Sequence, residues 1–115
     1  MTDNVIIIPT RLEATRLPNK PLKKINNKEM ILHVHQAAKN ANIGEVIVAS
    51  PNDEIYKLIN SVKGICVKTK SNHETGTDRI FEVFDKYLNR KPQTIINLQG
   101  DMPNIQPEAI RMLSN

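Results

Sequence analysis

Apolar residues along this chain fall into short β-branched runs separated by stretches that repeat at helical spacing. Val5 to Ile8 is the first run, the length and composition of a strand buried on both faces. Pro9 has no backbone donor and is expected to stop its ladder. Ile25-Asn26-Asn27-Lys28 reads as a turn, because asparagine tolerates left-handed geometry. Met30, Ile31, Val34, Ala37, Ala38 and Ala41 recur with the period of an amphipathic helix over about residues 29–40. Ile43-Gly44 is expected to close it. Residues 45–49 form a second strand. Ser50-Pro51-Asn52-Asp53 then predicts a helix start, with Ser50 as cap, Pro51 in the first helical position and an acid three residues on. Ile55, Leu58, Ile59 and Val62 give that helix its buried stripe, and Gly64 its stop. Residues 65–68 are a third strand, alternating enough to lie near a sheet edge. A further helix buries Ile80, Val83, Phe84, Tyr87 and Leu88. After a break at Lys91-Pro92, residues 93–98 form a fourth strand. Pro107, Ile110 and Leu113 open a last helix. This β-α-β-α-β order with short connections predicts a mostly parallel sheet, right-handed crossovers and helices on its faces.

A length of 115 residues fits one domain. The net charge of +4 and pI near 9.3 invite a nucleic-acid partner. The cations are spread along the chain, however, and with aromatics at 3% no stacking platform accompanies them. A small anionic ligand accounts for the charge as well, and no nucleic acid is expected. The single cysteine, Cys66, excludes an internal disulfide and suits a reducing cytoplasm. Between Ile65 and Val67 it reads as a small core residue. No apolar run approaches the length of a membrane span, and the run after Asp3 and Asn4 is too short for a signal peptide. A cytoplasmic protein without membrane contact is expected.

Three stretches carry candidate chemistry. After the first strand comes a basic loop stiffened by Pro9, Pro18 and Pro21. Its Arg11 and Arg16 supply planar forks and its Lys20 a compact ammonium, the donor set for a polyphosphate. Ligands of open α/β sheets bind beyond the carboxyl ends of strands, where this loop falls; the alternative is a solvated basic loop. The second stretch, Asn72 to Arg79, leads into a helix. Thr75, Gly76 and Thr77 read as a helix start with threonine capping, or as a ligand cradle with free N–H groups and a glycine for close approach. Arg79 sits in the first turn, where its charge opposes the helix dipole. It is therefore expected to act at a ligand and not in the fold, so that Arg79→Gln would leave apo stability level or slightly higher. His73 reads as a bystander in the same loop. The third stretch is Gln99-Gly100-Asp101, where a carboxylate after a buried strand suits Mg²⁺ or a plain turn. His33 and His35, two apart on a helix, face different sides and form no joint metal site.

Taken in order, Pro-x-Arg-x5-Leu-Pro-x-Lys-Pro-Leu from Pro9, His-x-x-Gly-Thr-Asp-Arg from His73 and Leu-Gln-Gly-Asp-x-Pro from Leu98 resemble the nucleotide-binding half of the CMP-Kdo synthetases, the 3-deoxy-manno-octulosonate cytidylyltransferases. The resemblance implies a Rossmann-like three-layer α/β/α fold of the nucleotide-diphospho-sugar transferase type. It implies transfer of CMP from CTP to Kdo, with release of pyrophosphate, for lipopolysaccharide synthesis. By motif position Arg11 and Lys20 would hold the triphosphate, with Arg16 in the same loop. Thr75, Gly76, Thr77 and Arg79 would contact the cytidine, and Gln99 the nucleotide. Asp101 would bind Mg²⁺, making Arg11, Lys20 and Asp101 the catalytic set. Ala14, Asn19, Thr75 and Met102 depart from the family's usual Ser, Gly, Ser and Glu. Family chains are roughly twice as long, and homodimeric. Residues 1–115 therefore read as a truncated, single nucleotide-binding domain lacking the acceptor-sugar half. Such a piece is expected to be inactive alone. A non-catalytic CTP-binding module and a basic interaction domain are the alternatives.

Overall fold

In a computed structural model, residues 4–10, 22–70, 76–86 and 94–98 are described. Strand β1 (Asn4–Pro9) is buried along its whole length. A short hairpin follows, β2 (Lys24–Ile25) against β3 (Lys28–Glu29). Asn26 and Asn27 turn it with φ of 54° and 65°, the two consecutive positive values of the primed hairpin turns that asparagine adopts at low cost. Helix α1 (Met30–Ala41), strand β4 (Glu45–Ser50), helix α2 (Asp53–Ser61), strand β5 (Ile65–Lys68), helix α3 (Gly76–Lys86) and strand β6 (Thr94–Asn97) complete the described elements.

The main sheet has the order β5-β4-β1-β6 with every pairing parallel. Chain direction across it follows from handedness. Two successive steps, β1 to β4 and β4 to β5, run the same way, and their right-handed crossovers place α1 and α2 on one face. The step from β5 back across β1 to β6 reverses direction and places α3 on the other. Side-chain alternation along β1 serves both layers. Ile6 and Ile8 pack with Ile31, Val34 and Ala38 of α1 and with Ile55 and Ile59 of α2. Val5 and Ile7 pack with Ile47, Ala49 and Val83. A doubly covered strand must be apolar throughout, and full burial of each such side chain contributes about 1.5–3 kcal/mol. The three-layer α/β/α arrangement matches the expectation, as does the place of β5 at an edge of the described sheet.

Four local expectations are corrected. Pairing runs through Pro9, opposite Ala49, and continues as the Thr10 N–H donates to the Ala49 carbonyl at 2.8 Å. Alternate residues of a parallel strand bond to opposite neighbours. Thr10 faces β4, whereas Ile7, which accepts from the Leu98 N–H, faces β6. Pro9 shares the Ile7 side, where the described pairing ends at Asn97, so its missing donor costs the β4 ladder nothing. At the end of α1, Asn42 takes the left-handed position with φ 54°, not Gly44. Gly44 answers a different need: a Cβ there would lie 2.0 Å from the Asn4 carbonyl oxygen.

Helix α2 starts at Asp53 with Asn52 as N-cap, two residues beyond the expected Pro51. Ser50 is held in the strand, opposite Lys68, and its hydroxyl bonds to Asn52 instead. At the other end of α2, Lys63 carries the positive φ of 61°, while the Gly64 N–H reaches back to the Ile59 carbonyl at 2.9 Å, the Schellman pattern. Gly64 is needed for space, since a Cβ would meet His35 Nε2 and Ile59 Cγ2, each at 2.7 Å. The expected burial of Tyr87 and Leu88, the break at Lys91-Pro92 and the last helix from Pro107 lie outside the described residues.

Candidate functional site

The strand order makes β1 the point where successive connections diverge, towards β4 on one side and β6 on the other. In open α/β sheets this divergence opens a crevice beyond the carboxyl ends of the strands. Thr10 and Leu98 stand at that end. Thr10 is buried, its hydroxyl donating to the Ile8 carbonyl at 3.4 Å. Leu98 is buried too, and its N–H donates to the Ile7 carbonyl at 3.0 Å. The chain thus leaves for Arg11 and for Gln99 from neighbouring strands at one end of the sheet. Two of the three candidate stretches are brought together at their roots. Arg11, Arg16, Lys20, Thr75, Gln99 and Asp101 themselves lie outside the described residues.

The second stretch is anchored from its far end. Gly76 and Thr77 form the first turn of α3. Asp78 beside them is exposed and favourably placed for the dipole. Arg79 is not exposed: 3% of its surface remains accessible. Its Nη1 donates to Thr69 Oγ1 at 2.6 Å and to the Lys70 carbonyl at 2.9 Å. The expectation that Arg79 takes no part in the fold is therefore corrected: it has acceptors within it. A cation opposing the dipole does need acceptors, and Thr69 and Lys70, just past β5, supply them.

Glu82, one turn on, takes the other half of the same residue. The Lys70 N–H donates to its Oε1 at 3.0 Å and Oε2 at 3.2 Å, and Lys86 Nζ donates to Oε2 at 3.1 Å. Neither Thr69, Lys70 nor Glu82 is a candidate from sequence reading. A signal was present: Arg79 and Glu82 are opposite charges at i,i+3 flanking Ile80 and Val83, so they border the buried stripe where a solvated pair would not sit.

Elsewhere the titratable groups do structural work. Cys66 is buried, and desolvation pushes its thiol up to about 12, which removes it as a nucleophile. His33 Nε2 donates to the Ile25 carbonyl at 2.7 Å, tying the hairpin to α1. His35 is buried, with Nε2 lacking a partner among the described residues, and desolvation holds its pKa below the ordinary value. A groove of about 370 Å³ is lined by Lys70, Asp78, Phe81, Glu82, Asp85 and Lys86; three carboxylates against two ammonium groups suit a polyphosphate poorly. Among the described residues no three His, Cys, Asp or Glu side chains gather to hold a metal. None of the described helices is long and apolar enough to cross a membrane.

Residues 5–115 match the family model described as Cytidylyltransferase, and the chain belongs to that family. It is similar to the 3-deoxy-manno-octulosonate cytidylyltransferase of Nitrobacter hamburgensis, 42% identical over 96% of this chain and 43% of the relative. The enzyme of the same description from Rhodopseudomonas palustris is 44% identical over 96% of this chain and 45% of its own length. Among solved structures, a CMP:2-keto-3-deoxy-manno-octonic acid synthetase complexed with CTP superposes with a TM-score of 0.89 at 38% identity, over 98% of this chain and 46% of the other. A cytidylyltransferase from Leptospira borgpetersenii, at 18% identity and a TM-score of 0.81 over 99% of this chain and 48% of the other, shares the fold. The chain spans under half the length of each of these four relatives.

Proposed function

We propose that this chain is the CTP-binding part of a 3-deoxy-manno-octulosonate cytidylyltransferase, a cytoplasmic enzyme that transfers CMP from CTP to Kdo and releases pyrophosphate for lipopolysaccharide synthesis. One observation carries the reading. Each of the three ordered motifs follows a strand of an open parallel sheet along the chain, and two of them set out from the ends of β1 and β6, between which the strand order reverses. Arg11, Arg16 and Lys20 would neutralise and orient the triphosphate. The Thr75-Gly76-Thr77 segment would hold the cytidine, with Gln99 also on the nucleotide. Nucleotidyl transfer asks chiefly for positioning and charge neutralisation, which suits a donor set of cations and backbone N–H groups. Asp101 is the residue proposed to hold Mg²⁺, which when bound supplies charge neutralisation at the phosphates. The similarity to the CTP complex supports cytidine over other bases. Nucleotide binding is assigned to this part and the full reaction, with Kdo as acceptor and a homodimeric assembly, to the whole protein. Titration calorimetry with CTP and Mg²⁺, with ATP as control, tests the reading. Saturable binding selective for CTP, weakened about tenfold or more by Arg11→Ala through loss of a charge-assisted contact, is the expected result. An equal response to any polyanion would leave only a basic interaction domain. Pyrophosphate release with Kdo present separates binding from turnover.

A further inference from the structure

We propose that Arg79 and Glu82 are positioning residues of the nucleotide site. Together they grip Lys70 at both of its backbone polar groups, and so fix the first turn of α3 at the carboxyl end of the sheet. This rests on the CTP-binding reading above for its effect on affinity, though not for its geometry.

The strand ladder itself extends to Thr69, whose N–H donates to the Ser50 carbonyl at 3.1 Å. Lys70 is the next residue. Its carbonyl accepts from Arg79 Nη1 and its N–H donates to both carboxylate oxygens of Glu82. Both side chains belong to α3, and both are buried, at 3% and 8% exposure. Charge-assisted hydrogen bonds to a single backbone unit from two sides set its position and its orientation at once. Apolar packing does not do this for the start of α3. Val83 is the one fully buried apolar side chain described on that helix, Ile80 is half-buried, and Phe81 is 62% exposed. These contacts begin past the first turn that carries Gly76 and Thr77. Five residues, 71–75, separate Lys70 from Gly76, so the grip on Lys70 closes a short circuit from strand end to helix start. A misplacement of about 1 Å at a binding site can cost a hundredfold in function, which is why polar contacts remote from the ligand matter here.

The test uses Glu82→Ala, the milder Glu82→Gln and Arg79→Lys, with Ile59→Val on the opposite face of the sheet as a stability control. Hydrogen exchange is followed at the amides of Lys70 and of Ile80 and Phe81, whose helical acceptors are the carbonyls of Gly76 and Thr77. CTP affinity is measured well below each melting temperature. We expect exchange at all three amides to rise about tenfold or more in Glu82→Ala, with the amides of β1 and β4 unchanged, and CTP affinity to fall about tenfold. Glu82→Gln, which keeps one acceptor, recovers part of both, and Ile59→Val lowers the melting temperature without moving CTP affinity. A Glu82→Ala protein that melts earlier but binds CTP as tightly as wild type overturns the inference, as does acceleration confined to Lys70. If Glu82→Ala does not fold, Glu82→Gln and Arg79→Lys decide by the same readouts. A wild-type chain with no response to CTP overturns the proposed function instead; the exchange pattern then judges the grip on its own.

Discussion

The two faces of the sheet are closed by different chemistry. On one, α1 and α2 bury Ile31, Val34, Ala38, Ile55 and Ile59 against Ile6, Ile8, Val46 and Val48, an interface without charge. On the other, α3 contributes Val83 to a smaller apolar cluster and attaches its amino end through Arg79 and Glu82 to Thr69 and Lys70. Apolar burial is non-directional and scales with area, so it stabilises without setting a helix end to a fraction of an ångström. Charge-assisted hydrogen bonds add less net free energy but specify geometry. The face that holds the fold is thus the one away from α3, and the face that adjoins the second motif is the one built for position.

The largest effect is expected where the apolar face is broken. Ile31→Ala removes a fully buried side chain and should destabilise by about 2–5 kcal/mol, read as a shift of the urea midpoint at unchanged slope. A loss under about 1 kcal/mol would mean that the cluster collapses around the gap and that this face is looser than described.

Arg79→Met is the matching break on the other face. It keeps the length of the side chain and removes the donor to Thr69 and Lys70, at an expected cost of about 1.5–3 kcal/mol, the range for hydrogen bonds to charged groups. The melting temperature of the ligand-free protein should fall accordingly. An unchanged value would return Arg79 to the purely ligand-directed role that its place against the dipole suggests.

His35 sharpens the comparison, because it is a titratable group on the otherwise apolar face. It lies against Gly64, with Lys39 and Lys28 the cations that act on it. Its pKa is lowered from 6.5, chiefly by desolvation. The unfolded chain therefore binds a proton that the folded one resists, and stability rises with pH across that interval. Full stability is expected above 6.5, with loss as the pH falls from 6.5 towards the depressed folded value. Urea midpoints at neutral and mildly acid pH should show this slope in the wild type and a flatter one in His35→Leu; equal slopes would place the acid sensitivity elsewhere.

What was legible in the sequence divides along the same line. Period and burial gave the strands, the helices and both faces, because a doubly covered strand such as Val5 to Ile8 has to be apolar at every position. Local signals misassigned the ends. Gly44 and Gly64 look like left-handed caps, yet Asn42 and Lys63 take that conformation, and the glycines make room for Asn4 and for His35 with Ile59. Such crowding joins residues far apart in the chain and leaves no periodic trace. The same reason hides Thr69 and Lys70: a backbone gripped from a helix across a connection has no motif. Arg79 was visible as an anomaly in the dipole, but its acceptors were not. For the first and third motifs the structure places the strand ends, Thr10 and Leu98, and their order is what the sequence already held.

The smallest effect is expected from the other charged tie of β5. Lys68 Nζ donates to Asp53 of α2 and lies 5.7 Å from the centre of the Tyr56 ring. In kind it resembles the tie between Lys70 and α3, an acid on a helix holding the end of the same strand. Burial separates them: the side chains of Lys68 and Asp53 are 49% and 65% exposed, whereas that of Glu82 is 7% exposed. Water competes for an exposed pair and salt screens it. The hydrogen bond from Lys68, and then its charge, hold the Asp53 carboxyl below its ordinary value of 3.8. A depressed carboxylate stabilises above its unfolded pKa and loses that contribution as the pH falls through the folded one, so the tie acts at neutral pH and is lost only in strong acid. Asp53→Asn should shift the urea midpoint slightly at low salt and not at all in roughly 1 M salt, where the Debye length is about 3 Å. Glu82→Gln, measured in the same two buffers, should keep its larger shift in both, because the Glu82 carboxylate is largely removed from water. Equal salt sensitivity in the two variants would show that burial does not distinguish them, and the contrast between the two ends of β5 would fail.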